Sequence, residues 1–237
     1  MQQSIKKLIP QSIKNLLRTV KQIFFDEFAI KSYSQEGEDM ILNRIFEDKI
    51  QGFYVDIGAH HPKRFSNTYF FYKKGWSGIN VEPNPDVIKI FELARARDIN
   101  LQCGVSECEG VLTYYYFNDP ALNTFDKNVV EERLTTTPYK LIKHENIPVV
   151  RLDSLLTKYL PLGQKVDFLS IDVEGFDFSV LKSNDWNSFR PSYVLAEVLN
   201  ANLEEAMRGE IAQFMREQGY SIFARTYNTL IFRESKV

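Results

Sequence analysis

Seven residues mark the places where hydrophobic runs stop: Asp56, Gly58, Glu82, Gly104, Asp172, Glu174 and Glu197. In an open α/β sheet such positions fall at the carboxyl ends of strands, where ligands bind. Between the first two runs lies the turn Gly58-Ala59-His60-His61-Pro62, followed by Lys63 and Arg64. A dinucleotide needs a glycine-rich turn whose amides face a pyrophosphate. Here the second and third glycines are missing, and Pro62 removes an amide donor. No GxxxxGK[ST] loop occurs either. The set therefore calls for a ligand with a sugar but no phosphate at this turn.

S-adenosylmethionine matches that requirement: it has a ribose, an adenine, a sulfonium and an amino acid moiety. Gly58 would let the backbone approach the methionine part. Glu82 would accept both ribose hydroxyls. The 24 residues from Gly58 to Glu82 are close to the roughly 20 that separate a first βα turn from its ribose acid. Asp56 would fix the loop or meet the cofactor's ammonium, and Gly104 ends the third run on the same side.

Methyl transfer to a hydroxyl then requires a base, which contributes about 10²–10⁴-fold. The candidates are Asp172, His60, His61, Glu174 and Glu197. Asp172 closes the buried-type run Phe168–Asp172 and reads as base, acceptor orienter or metal ligand; it also suits the cap of the next helix. Glu174 before Gly175 is equally favoured by a helix dipole. Glu197 ends an apolar run, where a buried charge needs a partner. Histidine titrates near neutrality and can take a proton. Lys63 and Arg64 would bind the phosphates of a nucleotide-linked acceptor, or be solvated. No spacing demands a metal, although Asp172, Glu197 and a loop histidine could ligate Mg²⁺ or Mn²⁺.

The elements that hold these residues alternate. Strands are predicted at Gly52–Gly58, Ser77–Pro83, Asn100–Ser106, Gly110–Phe117, Val166–Gly175 and Ser192–Leu199. Helices are predicted over Ser34–Phe46, Asn67–Gly75 (Ser66 as N-cap), Pro85–Asp98, Leu152–Leu160 (Asp153 as cap), Phe176–Ser183 and Asn202–Gly219. Two final strands meet at Tyr227-Asn228 as a hairpin. Such alternation implies a mostly parallel sheet with helices on both faces. Residues 118–148 break it and read as a long polar segment, functional or disordered.

The 237 residues suffice for one α/β domain, here 31–237, with an N-terminal extension over 1–30. The net charge of −2 argues against nucleic-acid binding. Two cysteines without CxxC spacing imply a reduced, cytoplasmic chain with no disulfide framework. No run reaches the roughly 20 apolar residues of a membrane span, and the N-terminus lacks the layout of a signal peptide. It has helical periodicity instead: Ile5, Leu8, Ile9, Ile13, Leu16, Leu17, Val20 and Phe24 share a face, with Lys6, Lys7, Lys14, Arg18 and Lys21 mostly elsewhere. That face suits its own domain, a partner subunit such as a homodimer mate, or a membrane surface.

The blocks YSQEGEDMIL, VDIGAHHP, SNTYFFYKKGWSGINVEPNP, VVRLDSLL and DFLSIDVEGFDFSVL resemble the FkbM family of S-adenosylmethionine-dependent methyltransferases, from about Tyr33 to Glu197. The resemblance implies a class I methyltransferase fold, a Rossmann-like three-layer sandwich whose seven-stranded sheet is mostly parallel with an antiparallel C-terminal hairpin. It also implies O-methylation of a sugar or another hydroxyl in glycan or natural-product biosynthesis, and a polysaccharide pathway acting on a nucleotide-linked sugar is the expectation. Tyr33, Ser34 and Gln35 would then fold over the cofactor's methionine end. Ser34 and Glu38 also suit ordinary helix capping. The His60-His61-Pro62 sequence departs from the smaller residue or amide and glycine of many relatives.

Overall fold

The computed structural model describes residues 10–24 and 28–235. They fall into two units that divide between Ser32 and Tyr33. In the first, helix α1 spans Gln11–Phe24; the predicted positions Ile5 to Ile9 lie outside the described residues.

The second unit opens with α2 (Glu38–Ile45), β1 (Phe53–Ile57), α3 (Tyr69–Lys73), β2 (Ser77–Val81), α4 (Pro85–Ala94), β3 (Ile99–Leu101), β4 (Gly104–Val105) and β5 (Gly110–Phe117). It continues through α5 (Lys127–Thr136), β6 (Leu141–Val150), α6 (Leu152–Tyr159), β7 (Phe168–Ile171), α7 (Asp177–Lys182), β8 (Tyr193–Glu197), α8 (Leu203–Arg208), α9 (Glu210–Glu217), β9 (Tyr220–Arg225) and β10 (Thr229–Glu234).

Seven strands form one sheet in the order β3-β2-β1-β7-β8-β10-β9. The first five run parallel, and β10 lies antiparallel to both β8 and β9. Successive strands are added outward in one direction through β1–β2–β3 and in the other through β7–β8, so the crevice at the ends of β1 and β7 is the switch point where such sheets bind ligands.

Both faces of the sheet are covered, which is why its central strands read as continuous apolar runs. Val55, Ile57, Leu169, Ile171 and Val194 pack under α6, α7, α8 and α9. Tyr54, Phe168, Leu195 and Ile231 alternate to the opposite face, against Leu42 of α2 and Phe71 of α3. Trp76 and Phe46 complete that aromatic layer, with ring centroids 5.3 Å apart.

The structure corrects several local expectations. The third predicted strand splits: β3 stays in the main sheet, while β4 joins a three-stranded sheet of order β4-β6-β5. Gly104 makes this turn-off feasible, because a Cβ there would come 2.5 Å from the Phe125 ring and 2.8 Å from Val149. Residues 118–148 are an ordered excursion, with a 3₁₀ turn at Pro120–Leu122, α5 and a ten-residue β6 paired along β5. Asp126 caps α5 through the amides of Asn128 and Val129.

The single predicted C-terminal helix is two, interrupted by an extended Gly209; glycine costs about 1 kcal/mol inside a helix. Asp153 sits in the first turn of α6 and does not cap it. The Leu152 amide donates to Ser183 Oγ instead (3.0 Å). Thr68 stands at the N-cap of α3, but Ser66 Oγ still accepts from the Tyr69 amide (3.1 Å).

Candidate active site

A cavity opens at the carboxyl ends of β1, β2 and β7. Gln35, Gly58, His60, Phe65, Glu82, Asp172 and Glu174 line it. Tyr114, Pro120, Asn123 and Phe125 close it from the smaller sheet and its excursion.

Gly58 holds the centre. Its φ is +80°, and a Cβ would lie 1.8 Å from the Asp172 carbonyl oxygen. Only glycine therefore brings the end of β1 against the end of β7. The amides of Gly58 and Ala59 both donate to the Val81 carbonyl, fixing the turn against β2.

Glu82, just beyond β2, is 4% exposed. One carboxylate oxygen accepts from the His60 amide (3.0 Å) and the other from the Asn84 amide (2.9 Å). Burial pushes its pKa up to about 7, against the opposing pull of these two amides. The Tyr114 side chain is a further hydrogen-bonding neighbour of this carboxylate, which is held rigid and keeps remaining lone-pair capacity for a hydroxyl.

Asp56 does not line the cavity. Burial raises its pKa to about 6, and its carboxylate accepts from Thr68 Oγ1 (2.8 Å). Beneath that contact lies a group that no sequence pattern revealed. Arg95 is 0% exposed. It donates to Asp98 (2.9 Å), the Tyr54 hydroxyl (2.7 Å), Thr68 Oγ1 (3.1 Å) and the Pro62 carbonyl (3.1 Å). Asp98 in turn accepts from Tyr54, Gly78 and Asn80. The loop from His60 to Thr68 is thereby fastened from below. At the end of a helix, Arg95 and Asp98 look like solvated residues; only the fold buries them.

His60 has φ +51° and its ring stacks on Phe65 at 6.2 Å. Its Nε2 is shielded and meets no partner among the described residues. Burial lowers the pKa to about 4, so the ring is neutral at pH 7. His61 takes another role: its Nδ1 accepts from the amides of Lys63 and Arg64, both at 3.0 Å. Burial, then Arg64, lowers its pKa. Arg64 lies 4.2 Å over Phe65, and Lys63 lies 5.9 Å from the Tyr69 ring. His61, Lys63 and Arg64 do not line the cavity.

In the segment before α2, Gln35 alone lines the cavity. The Tyr33 amide and the Ser34 hydroxyl donate to Asp39 (2.7 and 2.8 Å), and Ser34 Oγ accepts from the amides of Gly37 and Asp39. Glu36 and Glu38 accept from Thr226 in the C-terminal hairpin (2.9 and 2.7 Å), which clamps the segment in place. Gly104 contributes indirectly, by making space for Phe125.

Acids crowd the far side: Asp172 and Glu174 line the cavity, while Glu197 lines a neighbouring one. Asp172, Glu174 and Glu197 each present an oxygen within 4.8 Å of the others. Burial and then Glu174 raise Asp172 well above the carboxylate range. Glu197 is pushed up to about 11 by burial and Asp172, and its Oε2 has no partner among the described residues. The Glu197 amide donates to Asp177 (3.1 Å), itself raised to about 7 by burial. Glu174, at φ +54°, is raised by burial but held back by an ion pair with Arg133. Arg133 also donates to the Leu122 carbonyl (2.6 Å). Like charges this close do not all ionise, so the cluster holds at least one proton or attracts a cation. The spacing suits an oxygen-ligated divalent ion.

The sequence reading missed Tyr114, Asn123, Phe125 and Arg133. The available signal was the long polar segment itself, which supplies three of the four.

Residues 56–222 match the family described as Methyltransferase FkbM domain. The chain belongs to the FkbM methyltransferase family. The protein is also 29% identical over 143 residues to methyltransferase sdnD of Sordaria araneosa, covering 52% of this chain and 53% of that protein. The chain thus spans about half the length of that relative. A solved TehB-like SAM-dependent methyltransferase from Corynebacterium glutamicum aligns over 95% of this chain and 97% of its own, at a TM-score of 0.40 and 8% identity. Family membership and strand order together give the second unit the class I methyltransferase fold. Among the described residues no helix is long and apolar enough to cross a membrane.

Proposed function

We propose that this FkbM methyltransferase is an O-methyltransferase acting on a sugar hydroxyl, in free, nucleotide-linked or glycan-precursor form. The observation that supports it most is the joining, in one cavity, of a rigid ribose-type acceptor at Glu82 to proton-holding acids at Asp172 and Glu174. When bound, S-adenosylmethionine supplies an electrophilic methyl on a good leaving group. The residues present fit it: Gly58 gives a close backbone approach, Glu82 awaits hydroxyls, and the turn offers no phosphate cradle.

Asp172 is the base or acceptor-orienting group in this reading, with Glu174 and Glu197 setting its proton affinity. A raised pKa makes its ionised form a stronger base than an ordinary carboxylate. His60 Nε2 can accept or donate one hydrogen bond to an acceptor hydroxyl without charging. The polar wall of Gln35, Asn123 and the acids favours a hydroxyl-rich acceptor over an aliphatic one. As a finer element, Asp172, Glu174 and Glu197 would hold Mg²⁺ or Mn²⁺; activity that survives exhaustive chelation removes that element.

Incubation with labelled cofactor and a panel of free and nucleotide-linked sugars tests the reading. Label in a methyl ether of one sugar supports it. Cofactor affinity by calorimetry without transfer to any sugar, but with transfer to lipid or polyketide hydroxyls, would replace the acceptor class. No affinity for the cofactor would point to a non-catalytic adapter.

A further inference from the structure

Helix α1 has a defined two-sided chemistry. All its residues are exposed. Ile13, Leu16, Leu17, Val20, Ile23 and Phe24 recur at intervals of three and four, one stripe at about 100° per residue. Leu16 is 63% exposed and Phe24 75%. The next described residues extend the apolar surface, with Phe28 82% and Ile30 63% exposed.

Charge is arranged asymmetrically around that stripe. Lys14, Arg18 and Lys21 follow one another along one flank, while the other flank carries Ser12 and Thr19 and the back carries Gln11, Asn15 and Gln22. The first 24 residues contain five Lys and Arg and no Asp or Glu, which leaves 24 of the 29 basic residues against all 31 acidic ones in the remainder. Among the described residues α1 itself carries three of these cations, Lys14, Arg18 and Lys21, and no acid. That helix has no acid to answer these cations in a second copy of itself, so the complementary surface is one rich in anions. At 14 residues it is about 21 Å long, too short to cross a bilayer core of about 30 Å; it suits the plane of the interface.

We propose that α1 is an interfacial anchor for anionic phospholipid. The apolar stripe enters the acyl boundary, and the basic flank lies among headgroup phosphates with its aliphatic stems along the stripe.

Co-sedimentation of the full chain tests this with two vesicle types: pure phosphatidylcholine, and phosphatidylcholine mixed with phosphatidylglycerol. Binding is expected to the mixed vesicles, weak binding to the neutral ones, and loss of binding as salt rises. Replacing Lys14, Arg18 and Lys21 together by Gln lowers partitioning about tenfold or more. The pair Leu16→Asp and Leu17→Asp abolishes it. Both variants keep the calorimetric affinity for S-adenosylmethionine, which shows that the catalytic unit is intact. A chain that stays in the supernatant, that sediments equally with both vesicles, or that is indifferent to the triple substitution overturns the proposal. So does a vesicle-free dimer, seen by light scattering, that the Leu16 and Leu17 pair dissolves; the stripe would then belong to a second copy.

Discussion

The two sides of the crevice handle their carboxylates in opposite ways. On the β1–β2 side, Glu82 and Asp56 are answered: two backbone amides hold Glu82, and Thr68, backed by Arg95, holds Asp56. On the β7–β8 side, Asp172, Glu174 and Glu197 crowd within 4.8 Å, with Arg133 paired to one of them. The first wall is preorganised to bind a neutral hydroxylated group at little further cost. The second retains uncompensated charge, the condition that shifts pKa values and prepares a group for proton transfer or cation binding. In the proposed function, binding and chemistry are separated by electrostatic environment within one crevice.

The strongest way to break this contrast is to remove the cation beneath the first wall. Arg95→Met strands Asp98 and frees the His60–Thr68 loop. Urea denaturation should show a loss of about 3–5 kcal/mol, and an unchanged midpoint would show that the network does not organise that wall. Next in size is Asp172→Asn, expected to lower kcat/KM by about 10²–10⁴-fold while the cofactor Kd moves little. Equal losses in both would place Asp172 on the binding side.

Glu82→Gln should do the reverse. One amide then faces an amide, and cofactor affinity by calorimetry should fall by about 1.5–3 kcal/mol, with kcat at saturation retained to a greater degree. A pH series sharpens the comparison further. Glu197 has a folded pKa of about 11 against an ordinary carboxylate value, so the folded state binds more protons than the unfolded one. Its contribution is complete below about pH 4.3 and is lost as pH rises toward 11, by up to about 1.4 kcal/mol per pH unit. Glu197→Gln should flatten that decline in thermal unfolding between pH 6 and 9; an unchanged slope would show that Glu197 ionises as readily in the folded protein as in the unfolded chain. The smallest effect is expected from Lys63→Ala with Arg64→Ala. Neither side chain lines the cavity, and cofactor Kd should move less than about twofold.

Reading along the chain located much of this. The apolar runs ending in Asp56, Glu82, Asp172 and Glu197 were visible because a parallel strand buried on both faces is apolar throughout and turns polar only at its end. Gly58 was visible because a strand-to-helix turn needs a positive φ. The broken C-terminal helix and the divided third strand were not, since each depends on what packs nearby: Gly209 alone does not specify a break, and Gly104 is explained only by Phe125 and Val149. Asp153 illustrates the same limit, because Ser183 from a distant helix supplies the cap.

The sequence by itself determined the alternating α/β order, the strand-end acids and the single-glycine turn, because periodicity and chain-local sterics are written in consecutive residues. Tertiary structure alone decided which acids are satisfied and which are crowded. The distance between Asp172 and Glu197 depends on β7 and β8 lying side by side, and the burial of Arg95 and the reach of Arg133 depend on elements packed across many residues. Electrostatic environment is a property of that assembled neighbourhood, so it cannot be read from residue types in a row.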